Sequence, residues 1–441
     1  MFYCLMVPRL RSIVQTRLTQ KNIYCTLKER GDINMKSKAY GLLLSLFVPF
    51  LCEGANSGAA SAGAAHAAAP FDTTPDEVIT GPLADHLSAE DLRALGATSL
   101  RMHALAVSSQ YTLTFNMETV KEDNVDIDHV VAFLRKRKHI KELKITHMKV
   151  DVLEKALTQL VAEKFKFDNL VSLDLSGNPH LTGEVLHLFT QTTPRLHSLN
   201  VDNCKIDSGP GHLLATITDM SHLTALSIRF NHLRHSADLI RFMSQLTTLD
   251  ISFNNIGDEG AYSVSRMKNL TTLNIRGNNI GDEGAELISG MNNLTSLDIS
   301  QNNIGSAGAG FISRMPHLIT LNIDINNIGS AGAASIGQMP HLTTLYVGYS
   351  HIGDAGAASI SRMKNLTTLS ITGNNIGPAG AEFISHMNHL TTLYIGDNKI
   401  HGIAFISQMR GLKILGISAR DIGDARLDLL KKKLPNTRIH S

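Results

Sequence analysis

The strongest constraint in this sequence is a pattern that returns every 24 residues through its C-terminal half. The pattern is L-x-x-L-x-I-x-x-N, and looser copies precede and follow the regular ones. A chain with such a period folds as a stack of similar units, because one unit alone cannot bury its apolar face. The regular copies begin at Leu246, Leu270, Leu294, Leu318, Leu342, Leu366 and Leu390, and the looser ones at Ile140, Leu170, Leu196, Leu223 and Leu412.

The first part of each unit predicts a short strand followed by a sharp turn. In residues 246–251 apolar side chains alternate with polar ones, so one face enters the core and the other faces outward. The asparagine eight positions after the first leucine, as in Asn254, is expected to bond backbone groups of the neighbouring turn. Cys204 occupies this position in its own unit, so we interpret it as a member of the same ladder.

The second part of each unit, I-G-D-E-G-A-x-x-I-S-x-M, predicts a helix. Small residues such as Gly260 and Ala261 let neighbouring helices approach, and Ile288 and Met291 are expected to enter the core. An acidic or hydroxyl residue near the helix start is predicted to cap the helix that follows. These residues are Asp258, Asp282, Asp354, Ser306 and Ser330. Residues 424–434 predict a C-terminal capping helix with lysines at its end.

These strand-and-helix units resemble the leucine-rich repeats, and their Gly-Ala helices resemble the GALA-type subclass of the ribonuclease-inhibitor-like repeats. The resemblance covers roughly residues 140–433. It implies an α/β fold, a leucine-rich repeat solenoid of about 12 repeats that are mostly 24 residues long. We expect this solenoid, with its C-terminal cap, to occupy residues 109–441. In such arrays the inner, concave sheet is the ligand surface.

Three outward positions of each strand vary between repeats, whereas the leucine, isoleucine, asparagine and glycine positions hardly change. Aromatic and arginine side chains with few lysines are typical of protein-binding surfaces. The alternative is unconstrained drift, and Phe253 has the further alternative of packing between strands. The tyrosines form the strongest group, because drift favours small polar residues. The predicted partner-binding residues are Arg229, Phe230, Phe253, Arg276, Asp298, Asp324, Ile325, Tyr346, Tyr349 and Tyr394.

Residues 71–108, ahead of the repeats, resemble an F-box. In that family a short helical motif docks on the Skp1 subunit of a cullin ubiquitin ligase, and the repeats that follow hold the substrate. The resemblance departs from the family at Thr74, where leucine is usual, at Gly81-Pro82 and in lacking tryptophan. The alternative is a helical cap on the first strand. The implied docking residues are Pro75, Val78, Leu83, Leu87, Leu92 and Leu95.

The N-terminal segment has the pattern of a secretory signal. Lys36 and Lys38 precede an apolar run over residues 41–52, and small residues follow over residues 54–69. That run is too short for a mature membrane span. We therefore expect residues 1–62 to be an upstream extension and signal that starts at Met35, and residues 63–70 an Ala/Gly linker.

Charge and motifs exclude several classes of function. The first 62 residues hold 8 Lys/Arg and 3 Asp/Glu, which leaves 33 against 36 in the rest, so nucleic acid is not an expected partner. No catalytic, metal or cofactor motif stands out, so we expect a non-enzyme without cofactors. The expected function is protein recognition by the concave face, in a secreted effector that acts as a ubiquitin-ligase adaptor inside a host cell. The alternative is an extracellular or cell-envelope adhesion protein without a ubiquitin link.

Overall fold

The structure is a computed structural model that describes residues 104–105, 112–116, 127–136, 138–146, 150–206 and 212–440. All of these lie in the unit formed by residues 102–441. The predicted signal, the linker and the six F-box-like docking residues lie outside the described residues. In the described part, every helix is too short or too polar to cross a lipid bilayer.

The described strands form one 15-stranded sheet whose order follows the sequence. The first two strands are antiparallel, and each later strand is parallel to the one before it. Equivalent residues pair in register, as Leu297, Leu321 and Leu345 do. The strands are β1 Ala104–Leu105, β2 Thr112–Asn116, β3 Glu142–Thr146, β4 Ser172–Asp174, β5 Ser198–Asn200, β6 Ala225–Ser227, β7 Thr248–Asp250, β8 Thr272–Asn274, β9 Ser296–Asp298, β10 Thr320–Asn322, β11 Thr344–Tyr346, β12 Thr368–Ser370, β13 Thr392–Tyr394, β14 Ile414–Gly416 and β15 Arg438–His440.

From β2 onward, helical segments alternate with the strands, and most pack against the segment of the next unit. The chain is therefore an α/β solenoid, as predicted. The helices are α1 Ile127–Lys136, α2 Val150–Ala162, α3 Gly183–Thr192, α4 His212–Thr218, α5 Gly257–Ser265, α6 Asp282–Ser289, α7 Ser306–Ile312, α8 Gly329–Ile336, α9 Gly353–Ile360, α10 Pro378–Ser385, α11 Ala419–Ile422 and α12 Asp424–Lys433, with 3₁₀ segments Arg234–Phe242 and Ile406–Gln408.

The core lies between the sheet and the helices. The inward-facing side chains of the strands are buried, as in Leu273 and Ile275. The buried side chains of Ile288 and Met291 enter the core from the helical side. Burial of such side chains contributes roughly 1.5–3 kcal/mol each. Helix α12 ends in three lysines, as predicted. Strand β15 after it was not predicted, because only Ile439 among its residues is a core-type side chain.

The asparagine ladder is present. The Nδ2 atom of Asn278 donates to the carbonyls of Ile251 and Ile275, at 3.0 Å each. Its Oδ1 atom accepts the N–H of Asn254 at 2.9 Å and that of Ile256 at 3.4 Å. One side chain thus satisfies backbone groups of two adjoining repeats, which would otherwise be buried without partners.

Cys204 belongs to this ladder, as predicted. Its backbone N–H donates to Asn231 Oδ1 at 2.8 Å, and its Sγ donates to the carbonyl of Leu175 at 3.2 Å. Burial raises the pKa of the thiol to about 12, so it is protonated at neutral pH.

The predicted N-cap residues do not cap the helices to which the sequence assigned them, so this prediction is wrong. Asp258 lies inside the first turn of α5 and does not cap it. Instead, its Oδ1 accepts the N–H of Gly281 at 2.8 Å and that of Gly284 at 3.0 Å, at the start of α6 in the next repeat. Asp282 and Asp354 likewise bond the next helix, whereas Ser306 and Ser330 lie within α7 and α8 behind other N-cap residues. These carboxylates therefore join neighbouring repeats.

Replacement of Asp282 by alanine should lower the free energy of unfolding by about 0.5–2 kcal/mol, the usual cost of a lost N-cap. The N–H groups of Gly305 and Gly308 both lose their acceptor in this variant. Urea titration followed by circular dichroism measures the loss. The matched control is Glu283→Ala, since Glu283 is exposed in the same helical turn. Equal effects of the two replacements would contradict the cap.

Candidate functional site

The outward-facing side chains of the strands and of the turns after them form one surface, which we call the sheet face. Parallel in-register pairing places equivalent side chains of successive repeats side by side, about 4.8 Å apart. All ten predicted partner-binding residues lie on this face. The structure brings them together as two aromatic groups with charged residues around and between them.

The first group is a pair of stacked rings. Phe230 and Phe253 lie parallel, with centroids 4.6 Å apart. Arg229 and Arg276 lie over these rings at 5.8 and 5.5 Å. Phe253 also covers Gly277, where an added Cβ atom would lie 2.6 Å from its ring. Phe253 therefore does pack against its neighbours, while Phe230 remains 45% exposed.

The two arginines of this group differ in how they are paired. Nε of Arg229 lies 2.9 Å from Asp202 Oδ2, so its charge is neutralised within the face. Nε of Arg276 donates to Gln301 Oε1 at 3.0 Å, and within the described residues it forms no ion pair. Arg276 thus presents an uncompensated positive charge.

The second group centres on Tyr349, which is 48% exposed. Its hydroxyl donates to Asp397 Oδ2 at 2.8 Å, across two repeats. Between them lies Gly373, where an added Cβ would be 2.3 Å from Tyr349 Cε1. The hydrogen bond to Asp397 raises the pKa of Tyr349, because it holds the protonated phenol. The Tyr349 ring is therefore hydrogen-bonded at its hydroxyl and lies over a glycine of the next repeat.

Tyr346 and Tyr394 belong to the same group and are half-buried. Each pairs with Ser370, the strand residue between them. Tyr394 lies over Gly416, where an added Cβ would be 2.3 Å from its Cδ1. Burial raises the pKa of Tyr346, and the nearby Tyr394 and Asp324 add to the shift. The tyrosines thus frame a position filled only by a serine.

Two of the aspartates on the face are held differently. Asp298 accepts the N–H of Ser300 at 3.0 Å, its hydroxyl at 2.6 Å and Asn322 Nδ2 at 3.0 Å. Asp324 accepts only the N–H of Gly348 among the hydrogen bonds of the described residues. Burial raises the pKa of Asp324 to about 6. Ile325, next to it, is 43% exposed.

A pocket lies on the helical side, between α2, α3 and α4, with a volume of about 690 Å³. Polar residues including Glu154, Glu184 and His222 line it. The described residues hold no group of three or more His, Cys, Asp or Glu side chains placed to bind a metal ion.

The repeat architecture has counterparts among known proteins. The leucine-rich repeat family model matches four overlapping stretches of this chain, residues 244–304, 268–328, 292–352 and 316–376. Residues 244–376 of this chain are leucine-rich repeats. No curated protein matches it in sequence.

Two solved structures are only distantly similar. An internalin from Listeria monocytogenes is 18% identical with a TM-score of 0.45, over 69% of this chain and 86% of that one. A plant peptide hormone receptor in complex with RGF2 is 17% identical with a TM-score of 0.37. That match covers 64% of this chain and 43% of the receptor.

The residues that hold the candidate side chains in place were not predicted from the sequence. These are Asp202, Gln301, Asp397 and the glycines beneath the rings. The signal that identifies two of them is the repeat length, because Gly277 follows Phe253 by one period and Gly373 follows Tyr349 by one period. A leucine-rich repeat aligns such residues on adjacent strands, so an aromatic followed by glycine 24 residues later indicates a supported ring.

Replacement of Gly373 by alanine should return the pKa of Tyr349 toward that of a free tyrosine. The added methyl group displaces the ring and separates its hydroxyl from Asp397. Ultraviolet titration of phenolate formation measures this pKa, with Tyr349→Phe identifying the signal. Asp397→Asn, which removes the acceptor charge without filling the space, should lower the same pKa. An unchanged Tyr349 titration in both variants would contradict the described contact.

Proposed function

We propose that this protein recognises another protein through its sheet face and performs no chemistry there. The observation that carries the proposal is the support given to the aromatic rings of this face. Phe253, Tyr349 and Tyr394 each lie over a glycine of the next repeat. Rings that are held in place in the free protein lose little conformational entropy on binding, which favours affinity.

The composition of the sheet face also supports protein recognition. Tyrosine, phenylalanine and arginine are the residue types enriched in the binding hot spots of protein interfaces. A leucine-rich repeat array presents such residues on one continuous surface, since each repeat contributes the same positions.

The test is a pull-down with wild type and with the Tyr346/Tyr349/Tyr394 triple alanine variant. The control variant replaces three exposed rings of the helical side, Phe242, Tyr262 and Phe383, with serine. We expect a partner that binds wild type and the control and is lost from the triple alanine variant. Loss of the partner from the control variant alone would show that the helical side binds it. Catalytic turnover of a substrate by groups on the helical side would overturn the proposal.

We also propose that residues 71–108 act as an F-box, so that the bound protein is presented to a cullin ubiquitin ligase. The support is the sequence pattern of Pro75, Val78, Leu83, Leu87 and Leu92, joined by Leu95, ahead of GALA-like repeats. Co-precipitation with Skp1 should succeed and should be lost in the Leu83→Ala/Leu87→Ala variant. Absence of Skp1 binding at micromolar concentration would leave the segment as a repeat cap.

Secretion and action in a host cell complete this proposal, on the support of the signal-like residues 35–62. Fractionation of the producing cells and of exposed host cells tests it. We expect processed protein in the host cytoplasm. Intact protein found only on the envelope of the producer would favour the adhesion function.

A further inference from the structure

Asp324 is a carboxylate on the sheet face without a counter-charge. It is half-buried, and among the described residues no Lys, Arg or His side chain lies within ion-pair distance of it. Arg276 acts on it only at longer range. Burying an ionised group without a partner costs free energy. A cation that reached Asp324 would recover part of that cost.

Carboxylates in other repeats of the sheet face do have side-chain partners. Asp298, one repeat earlier, receives three hydrogen bonds from Ser300 and Asn322. Asp202 receives the guanidinium of Arg229. Asp324 differs because the next repeat offers it glycine, Gly348, and thus only a backbone N–H.

Two tyrosines lie close enough to this carboxylate to feel its charge. The carboxylate accepts the N–H of Gly348, which stands two positions after Tyr346 and directly before Tyr349, and its charge contributes to the raised pKa of both phenols. An added Cβ at Gly348 would lie 3.3 Å from Asp324 Oδ1, so the lack of a side chain there gives the carboxylate its place. A carboxylate beside aromatic rings is the combination that binds ammonium and guanidinium groups.

We propose that Asp324, Tyr346 and Tyr349 form a cation notch that binds an arginine or lysine side chain of the protein partner. The notch rests on the proposed function, since it specifies the chemistry of the partner on the same face. The cation pairs with the free carboxylate and packs against the rings, and the exposed Ile325 contacts the aliphatic stem of the same side chain. The occupant is therefore a basic segment of a protein.

Binding of a cation to the notch should depend on pH, because only the ionised carboxylate of Asp324 attracts it. Burial and the nearby Asp298 raise the pKa of Asp324 to about 6, while the N–H of Gly348 and Arg276 oppose the shift. The tyrosines at the notch have pKa values raised above the ordinary one, so they stay neutral throughout the pH range in which Asp324 titrates. A bound cation favours the ionised carboxylate. Affinity should therefore be full above this pKa and fall as the pH drops through it.

The experiment is a selection from a displayed library of random peptides on the immobilised full chain at neutral pH. The enriched peptides should contain arginine or lysine at a shared position. Isothermal titration with one such peptide should give an affinity about tenfold or more weaker for Asp324→Asn than for wild type. The matched control is Asp298→Asn, which removes the same charge from the neighbouring strand, and it should retain most of the affinity.

The pH series separates binding by Asp324 from a merely structural role. Wild-type affinity for the basic peptide should fall between about pH 7.5 and about pH 5, and this fall should be absent in Asp324→Asn. In Asp298→Asn the midpoint should move to lower pH, because Asp298 contributes to the raised pKa of Asp324. Circular dichroism of each variant verifies that it is folded.

Two results would overturn the notch. The first is that the selected peptides bind the sheet face of wild type and of Asp324→Asn with equal affinity. This result would overturn the notch but leave protein recognition by the face intact. Enrichment of no peptide, together with a partner whose capture depends on the tyrosines but not on Asp324, would do the same. Failure of the proposed function is a different result, since the triple alanine variant would then retain every partner.

Discussion

Replacement of Asn278 by alanine should lower the free energy of unfolding by about 3–5 kcal/mol, an effect comparable to deleting a large core side chain. The side chain is fully buried, and its Oδ1 is the acceptor for the N–H groups of Asn254 and Ile256. Alanine leaves both groups buried without a partner, at roughly 1–3 kcal/mol each. Carbonyls of the same turns also lose donors. Urea unfolding measures the total.

Hydrogen exchange locates the loss within the array. The amides of Asn254 and Ile256 should exchange faster, and repeats on the two sides should unfold less cooperatively, because the ladder is a contact between neighbours. The control is Asn279→Gly, since Asn279 is exposed and has a φ of 59° that glycine also adopts. Comparable destabilisation in the two variants would contradict the importance of the ladder.

The sequence could predict this ladder because it depends only on a position within the repeat. The same holds for the core strands, the helical core residues and α12, whose signals recur or stand at a chain terminus. Ser350 takes the ladder position in its own repeat and donates its hydroxyl to the carbonyl of Gly348 at 3.0 Å. A single repeat can thus depart from the pattern without loss of the strand.

The carboxylate contacts between helices of neighbouring repeats could not be predicted in the same way. Asp258 looked like a cap for its own helix, because in the sequence that helix is adjacent. The distance between α5 and α6 is short enough for the carboxylate to reach across, and that distance depends on packing by Ala261 and Gly284. Whether a side chain reaches the helix of the next repeat depends on how closely the two helices pack in the folded array.

The candidate site, too, could be predicted from the sequence only in part. The period identifies which residues face outward, and it places Tyr349 above Gly373. It does not predict the direction in which the ring points, nor that its hydroxyl reaches Asp397 two repeats away. Likewise, Asp298 and Asp324 both face outward, and only the structure shows that, among the described residues, Asp298 accepts three hydrogen bonds and Asp324 accepts one. The candidate site therefore depends on differences between repeats, while the fold depends on the positions that they share.

Replacement of Gly284 by alanine should destabilise the protein by about 2 kcal/mol, although the same change in an exposed helix stabilises by about 1 kcal/mol. A Cβ atom at Gly284 would lie 2.4 Å from Asp258 Oδ1, 2.5 Å from Ile280 Cγ2 and 3.1 Å from Ala261 Cβ. The methyl group therefore pushes α6 away from α5 and breaks the cap that Asp258 supplies. Thermal and urea unfolding measure the net sign.

Gly290→Ala is the matched control, since Gly290 ends the same helix and an added Cβ there meets only the carbonyl oxygen of Leu287, at 3.4 Å. We expect this control to change stability by less than about 0.5 kcal/mol. In a double-mutant cycle, Asp258→Ala should reduce the cost of Gly284→Ala, because it removes the atom nearest to the new methyl group. Additive effects in that cycle, or stabilisation by both alanines, would show that close approach of the helices does not require glycine here.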